Sequence, residues 1–164
     1  MEHQTKKYSF KDFLPLIAIF LIVISFVGLR QLSYGPDLRA AMSDFMAAFF
    51  IIFGAFKLLN LKGFAEAYAT YDVIAKKSII YAYAYPFIEI ALGLAYLFRL
   101  FPNVTNFVTL IVMFVSAIGV AIELSKGRDI TCACLGVVFK IPMTYVTLFE
   151  DLLMAAMALI MLFW

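Results

Sequence analysis

The hydrophobic positions fall into five blocks rather than a helical or strand alternation: 13–32, 40–61, 79–98, 104–122 and 141–164. A bilayer core about 30 Å thick needs about 20 helical residues, so each block is long enough to span it. The second block is the least regular. Asp44 and Lys57 interrupt it, leaving an unbroken apolar run only from Phe45 to Phe56, and both are expected to snorkel from its ends. The first block follows Lys6, Lys7 and Lys11, as a secretory signal would, but its run is longer than a signal core and no small-x-small cleavage site follows it. It is read as a helix that stays.

Composition agrees with that pattern. Of 164 residues, 65% are hydrophobic and 15% charged, against about 45–50% and about 25% in soluble domains. The expected fold is all-α, a polytopic membrane bundle joined by short links. The net charge of +2 says little about nucleic acid or acidic ligands; membrane lipid is the expected surroundings, and no nucleic-acid partner is expected. With the N-terminus inside, only Arg30, Arg39 and Arg99 of the 13 basic residues fall on the outer side. By the positive-inside rule this puts the N-terminal tail, residues 1–12, and the loop from Ser125 to Lys140 in the cytoplasm of a bacterial cell membrane. Asn103-Val104-Thr105 matches a glycosylation sequon, which a bacterial chain would ignore.

Charges inside such blocks need a reason. Glu89 lies about 15 Å from either end of its helix, and a central acid costs about 2.5–3.5 kcal/mol on insertion scales unless it faces the bundle, pairs or is neutral. Helical spacing groups it with Tyr81, Tyr85 and Tyr96, with Gly93 admitting a neighbouring helix and Pro86 interrupting the backbone ladder one turn earlier. Glu150 and Asp151 lie about two turns inside the last block, and Lys57 at similar depth could neutralise Glu89 or Glu150. Two readings stand: ion pairs that select helix partners, or a proton or ligand site. Along the last helix Met143, Thr147, Glu150, Met154, Met157 and Met161 recur every three or four residues. Methionine fills gaps between helices, and thioethers also bind Cu(I).

Cys132 and Cys134 are the only cysteines, in Thr131-Cys132-Ala133-Cys134-Leu135-Gly136. A disulfide across one residue closes a strained ring, which favours exchange over stapling. Reduced, two thiolates suit two-coordinate Cu(I) better than zinc, whose structural sites take four ligands. The single histidine, His3, is in the tail, so one chain cannot build a closed Cys/His zinc site. The cysteines could equally be inert small residues at the membrane surface. No serine-hydrolase set, phosphate loop or dinucleotide fingerprint is present.

Phe53-Gly54-Ala55-Phe56-Lys57-Leu58, then Phe64, Tyr68 and Tyr71, then Tyr85-Pro86-Phe87-Ile88-Glu89 and Leu92-Gly93, resemble the DoxX-like and MauE-like membrane family. Cys132-Ala133-Cys134-Leu135-Gly136, Pro142 and Asp151 resemble its redox-associated MauE branch. The resemblance implies a four-helix unit over residues 40–164, with residues 13–39 an additional N-terminal transmembrane helix and loop. It also implies thiol or electron-transfer chemistry, MauE being implicated in maturing the disulfide-rich small subunit of methylamine dehydrogenase. Leu135 stands where an aromatic residue is common, and Glu150 where a basic one often precedes the final-helix polar group.

The leading expectation is therefore a thiol/disulfide redox or electron-transfer accessory protein. Cys132 and Cys134 would exchange electrons or disulfides with a protein partner, and no cofactor is required. A Cu(I)-handling protein using Cys132, Cys134, Met154, Met157 and Met161, loaded by a metal donor, is the alternative. A non-catalytic assembly subunit is the third. Compartment separates the first two, because a cytosolic pair stays reduced and suits metal capture, whereas an extracytoplasmic pair suits disulfide exchange.

Overall fold

Local punctuation sets the helix boundaries. In the computed structural model, which describes residues 13–127, 131–132, 135, 141–142 and 145–164, helix α1 (Leu14–Tyr34) has Pro15 in its first turn and stops at Gly35, whose φ of 91° suits a residue without Cβ. The Asp37 carboxylate accepts from the Arg39 amide at 3.0 Å and opens α2 (Leu38–Leu59). Asn60 ends α2 and caps the short α3 (Leu61–Tyr68), accepting from the Gly63 amide at 3.0 Å. Helix α4 (Ile79–Leu97) carries Pro86 in its interior, and α5 (Pro102–Ser125) starts on a proline. A two-residue antiparallel ladder, β1 (Thr131–Cys132) with β2 (Ile141–Pro142), precedes α6 (Tyr145–Phe163).

The polarity is inverted relative to a soluble bundle. Large apolar side chains face outward, among them Leu21, Ile22, Ile80, Phe87, Phe107, Phe114 and Phe149, while Asp44, Lys57, Asp72, Glu89, Glu123 and Glu150 are buried. Hydrocarbon outside and paired charge inside is the arrangement a bilayer imposes. Among the described residues α1, α2, α4 and α5 are long and apolar enough to cross a membrane. Helix α6, 19 residues and hence about 28 Å long, packs along α5. The chain is a polytopic all-α membrane protein.

Packing divides the bundle into two tight pairs, α2 with α4 and α5 with α6, held together by α4 against α5 and α2 against α6. Two glycines bring α2 and α4 together. A Cβ on Gly54 would stand 2.7 Å from Ile90 Cγ1 and 3.2 Å from the Pro86 carbonyl oxygen, and one on Gly93 would stand 3.0 Å from the Ile51 amide and 3.2 Å from the Ala47 carbonyl oxygen. Small residues at such crossings let backbones approach where lipid supplies no hydrophobic drive. Helix α1 is the outlier: it packs on α2 and buries only Leu16, Ile19 and Val23.

The link between α2 and α4 is more than the short connection expected. It contains α3 and a turn built on Asp72, with Phe64, Tyr68, Tyr71 and Ala75 buried. The Asp72 carboxylate accepts from the Ile74 and Ala75 amides at 2.9 and 2.8 Å and from the Tyr68 hydroxyl at 2.9 Å. Burial, and then the neighbouring Tyr85 and Asp72, push the Tyr68 phenol well above its ordinary pKa, so it remains a donor. A Cβ on Gly119 would stand 2.9 Å from the Tyr71 carbonyl oxygen, which shows how closely this turn lies on α5. Lys76 reinforces it by reaching Glu123 at 2.6 Å, where Lys126 also donates at 3.0 Å.

Candidate functional site

The α3 link closes over a polar chamber in the half of the bundle nearest the β ladder. Lys57 from α2, Glu89 from α4, and Glu150 and Asp151 from α6 line one cavity of about 30 Å³, with Tyr68, Tyr71, Tyr85, Ser116 and Thr147 completing its wall. That is room for one or two waters. Four of the charges that lie inside the apolar blocks thus meet at one place, although they come from three helices, while Asp44 does not join them.

Lys57 does not snorkel; of the two acids the sequence offered it as partners, it meets Glu89. It is 5% exposed and turned inward, where its ammonium pairs with the Glu89 carboxylate. The ammonium also lies 5.1 Å from the Tyr85 ring centre and 5.6 Å from that of Phe64, so two aromatic faces share its charge. The reason is geometric: the Gly54 contact brings α2 so close to α4 that Glu89 is within reach, and a buried pair outweighs a stretch toward water. Asp151 accepts from the Ser116 hydroxyl at 2.9 Å, joining α6 to α5. Glu89 Oε2 and Glu150 Oε1 are buried with no protein hydrogen-bond partner among the described residues, and both groups line the cavity. Among those residues no three carboxylate, thiol or imidazole groups converge as a metal ion requires.

Around the chamber runs an aromatic wall. Tyr68 lies 4.5 Å from Tyr85, 5.2 Å from Phe64 and 5.4 Å from Tyr71, centre to centre. Tyr85, Glu89 and Tyr96 share the buried face of α4, while Tyr81 is partly exposed. The outer side of this wall is where the cysteine segment attaches: β1, which contains the Cys132 backbone, contacts α3, and Leu135 is fully buried in the core. Cys134 and Met143 lie outside the described residues, as do His3 and the N-terminal lysines.

Of the remaining methionines, Met154 and Met161 are buried and Met157 is partly buried. Their row runs from the chamber away from β1 to the opposite end, where the Ser43 hydroxyl points at Met161 Sδ from 3.8 Å.

That opposite end holds a second group of charges which sequence reasoning did not assemble. Asp44 was expected to snorkel but is 1% exposed, bridged by Arg30 at 3.4 Å and Arg99 at 3.3 Å. The available signal was the sorting of all three outer arginines to the same side. Their convergence on one acid from the next helix was not readable.

A helical membrane bundle with charge sequestered between its helices and a two-cysteine segment at one end defines the class. Residues 35–164 match the family described as Methylamine utilisation protein MauE, and the chain belongs to that family. The match begins where α1 has just ended. No curated protein and no solved structure matches the chain.

Proposed function

We propose that this protein is a thiol/disulfide exchange partner in the membrane, with Cys132 and Cys134 as the reacting pair. The observation that carries the reading is the position of β1: it holds the Cys132 backbone against α3, the element whose Phe64 and Tyr68 wall the charged chamber. In the exchange, a thiolate of the pair attacks a partner's disulfide and releases one partner thiolate, which takes up the proton the attacking thiol lost. The second cysteine then attacks the mixed disulfide, forming Cys132–Cys134 and freeing the partner's second thiol. Two electrons pass to the partner, two protons follow, and the reverse sequence oxidises a partner dithiol. The compartment at the β-ladder end sets the direction. On the positive-inside count that end faces the cytoplasm, a setting that keeps the pair reduced and by itself counts toward metal capture; an exchanging pair there would act as the electron donor.

We count five spans by adding α6, on its length of 19 residues, to the four apolar helices. Residues 13–39 then form an added helix and loop on a four-helix unit spanning 40–164. Copper handling is the second reading: metal captured at the cysteines would pass along Met154, Met157 and Met161, whose row runs from the chamber to the opposite end of the bundle.

The test uses purified full-length protein poised against defined thiol redox buffers and, separately, titrated with Cu(I). A reversible two-electron dithiol couple is expected, lost in Cys132→Ser and in Cys134→Ser alike. Each single change should cost nearly as much as the double, as for groups acting as a unit. Stoichiometric Cu(I) binding lost in both single variants, with no dithiol couple, would replace the redox reading with copper handling. Unchanged behaviour in both variants would leave the cysteines a structural role only.

A further inference from the structure

At the end of the bundle remote from β1, all three outer arginines converge on adjoining cavities. One, of about 290 Å³, is lined by Arg30, Gln31, Tyr34, Asp44 and Arg99 among others. The next, of about 140 Å³, is lined by Arg39, Ser43, Tyr96, Arg99 and Asn106 among others. Asp37, Ala40 and Arg99 belong to both. We propose that this end is a binding site for a phosphate group, presented either by an anionic lipid headgroup or by a soluble phosphate.

The charge balance supports an anion. Counting side chains alone, three guanidinium groups face two carboxylates, and Asp37 is already engaged as the cap of α2. Asp44 needs one cation but has two, each through a single long contact of 3.4 or 3.3 Å. Among the described residues Arg30 and Arg99 each spend one N–H on it, of the five a guanidinium carries. Arg39 donates to the Met161 and Trp164 carbonyl oxygens at 3.2 and 3.3 Å, offsetting the negative end of α6. The α2 and α5 N-termini, represented by Ala40 and Pro102, border the cavities and add the positive ends of two long helices.

The donors are also held in place. The Arg30 guanidinium lies 4.9 Å from the Tyr34 ring centre. Arg99 and Phe101 have φ of 53° and 43°, a left-handed backbone uncommon for residues with a side chain. Arg30 and Arg99 keep 34% and 42% side-chain exposure, so a ligand can reach them from the membrane boundary. Planar forks fixed at a half-open boundary suit tetrahedral phosphate oxygens.

The experiment takes delipidated full-length protein in neutral detergent. Native mass spectrometry measures retention of phosphatidylglycerol against diacylglycerol, which lacks the phosphate, and a parallel titration uses inorganic phosphate. One phosphatidylglycerol per chain, retained in preference to diacylglycerol, supports the site with a lipid source. Saturable inorganic phosphate binding without lipid retention supports it with a soluble source. Arg99→Lys keeps a cation for Asp44 but loses the fork, and should weaken binding about tenfold, the size of one charge-assisted hydrogen bond. Asp44→Asn should tighten binding by removing the competing carboxylate, and Lys62→Gln, exposed at the other end, should change nothing. If neither probe binds one per chain, or if Arg99→Lys and Asp44→Asn bind as the parent does, the arginines serve only to neutralise Asp44 and the proposal falls.

Discussion

Replacing Lys57 by Met removes the cation from a pair whose side chains are only 6% and 2% exposed. Glu89 then keeps a buried carboxylate whose Oε2 already lacks a protein partner, a situation that costs about 3–5 kcal/mol. Glu89→Gln is the milder partner change. It leaves the ammonium against Tyr85 and Phe64 at 5.1 and 5.6 Å, which retains about 1–2 kcal/mol of cation–π attraction, so its cost should be about 2–3 kcal/mol. Glu89→Arg, which sets two cations side by side, should be tolerated worst. The double variant Lys57→Met/Glu89→Gln removes both charges from the membrane interior but leaves a buried amide, and should return to within about 2 kcal/mol of the parent, since no charge is left unpaired. Reversible unfolding in mixed micelles containing increasing sodium dodecyl sulfate, followed by far-ultraviolet circular dichroism, gives all four corners of the cycle. The expected coupling is about 3 kcal/mol or more. If each single change costs under about 1 kcal/mol, or the double equals the sum of the singles, the pair is not what holds α2 to α4 at this point.

Gly93→Ala should cost about 1–3 kcal/mol by overpacking, because the new methyl meets the Ile51 and Ala47 backbone; the same unfolding assay reads it, and a neutral result would mean that α2 and α4 can separate freely. Asp72→Ala removes three hydrogen bonds at a fully buried carboxylate and should lower stability by about 2–4 kcal/mol, with faster proteolysis between α3 and α4. Reporter fusions at Arg30 and Arg99 should give the opposite signal to fusions at Lys76 and Lys126, since Arg30 and Arg99 meet on Asp44 while Lys76 and Lys126 meet on Glu123. The basic residues predict that the Lys126 fusion reports the cytoplasm, and an external signal there would reverse the orientation.

The sequence by itself determined the solvent and the helices. Five apolar blocks place α1, α2, α4, α5 and α6 to within a few residues, because a 30 Å hydrocarbon core selects run length directly, and Pro15, Gly35, Asp37 and Pro102 act on their own neighbours. Glu89 was legible as a bundle-facing acid for the same local reason: its cost in lipid does not depend on which helix lies opposite. Family membership was legible too, since ordered motifs survive without coordinates. Tertiary structure alone decided the partners. Lys57 was legible as a partner for Glu89 or Glu150, and only the α2–α4 approach through Gly54 and Gly93 chooses Glu89; Asp44 lies near a helix end, where a one-dimensional reading sends it to water, and only the meeting of α1, α2 and the link after α4 sets two arginines on it. The α3 link was missed because eight residues ending at Tyr68 are too few to stand out between apolar runs of membrane-spanning length. Their burial comes from contacts with α4, α2 and β1, which depend on three-dimensional distance rather than separation along the chain.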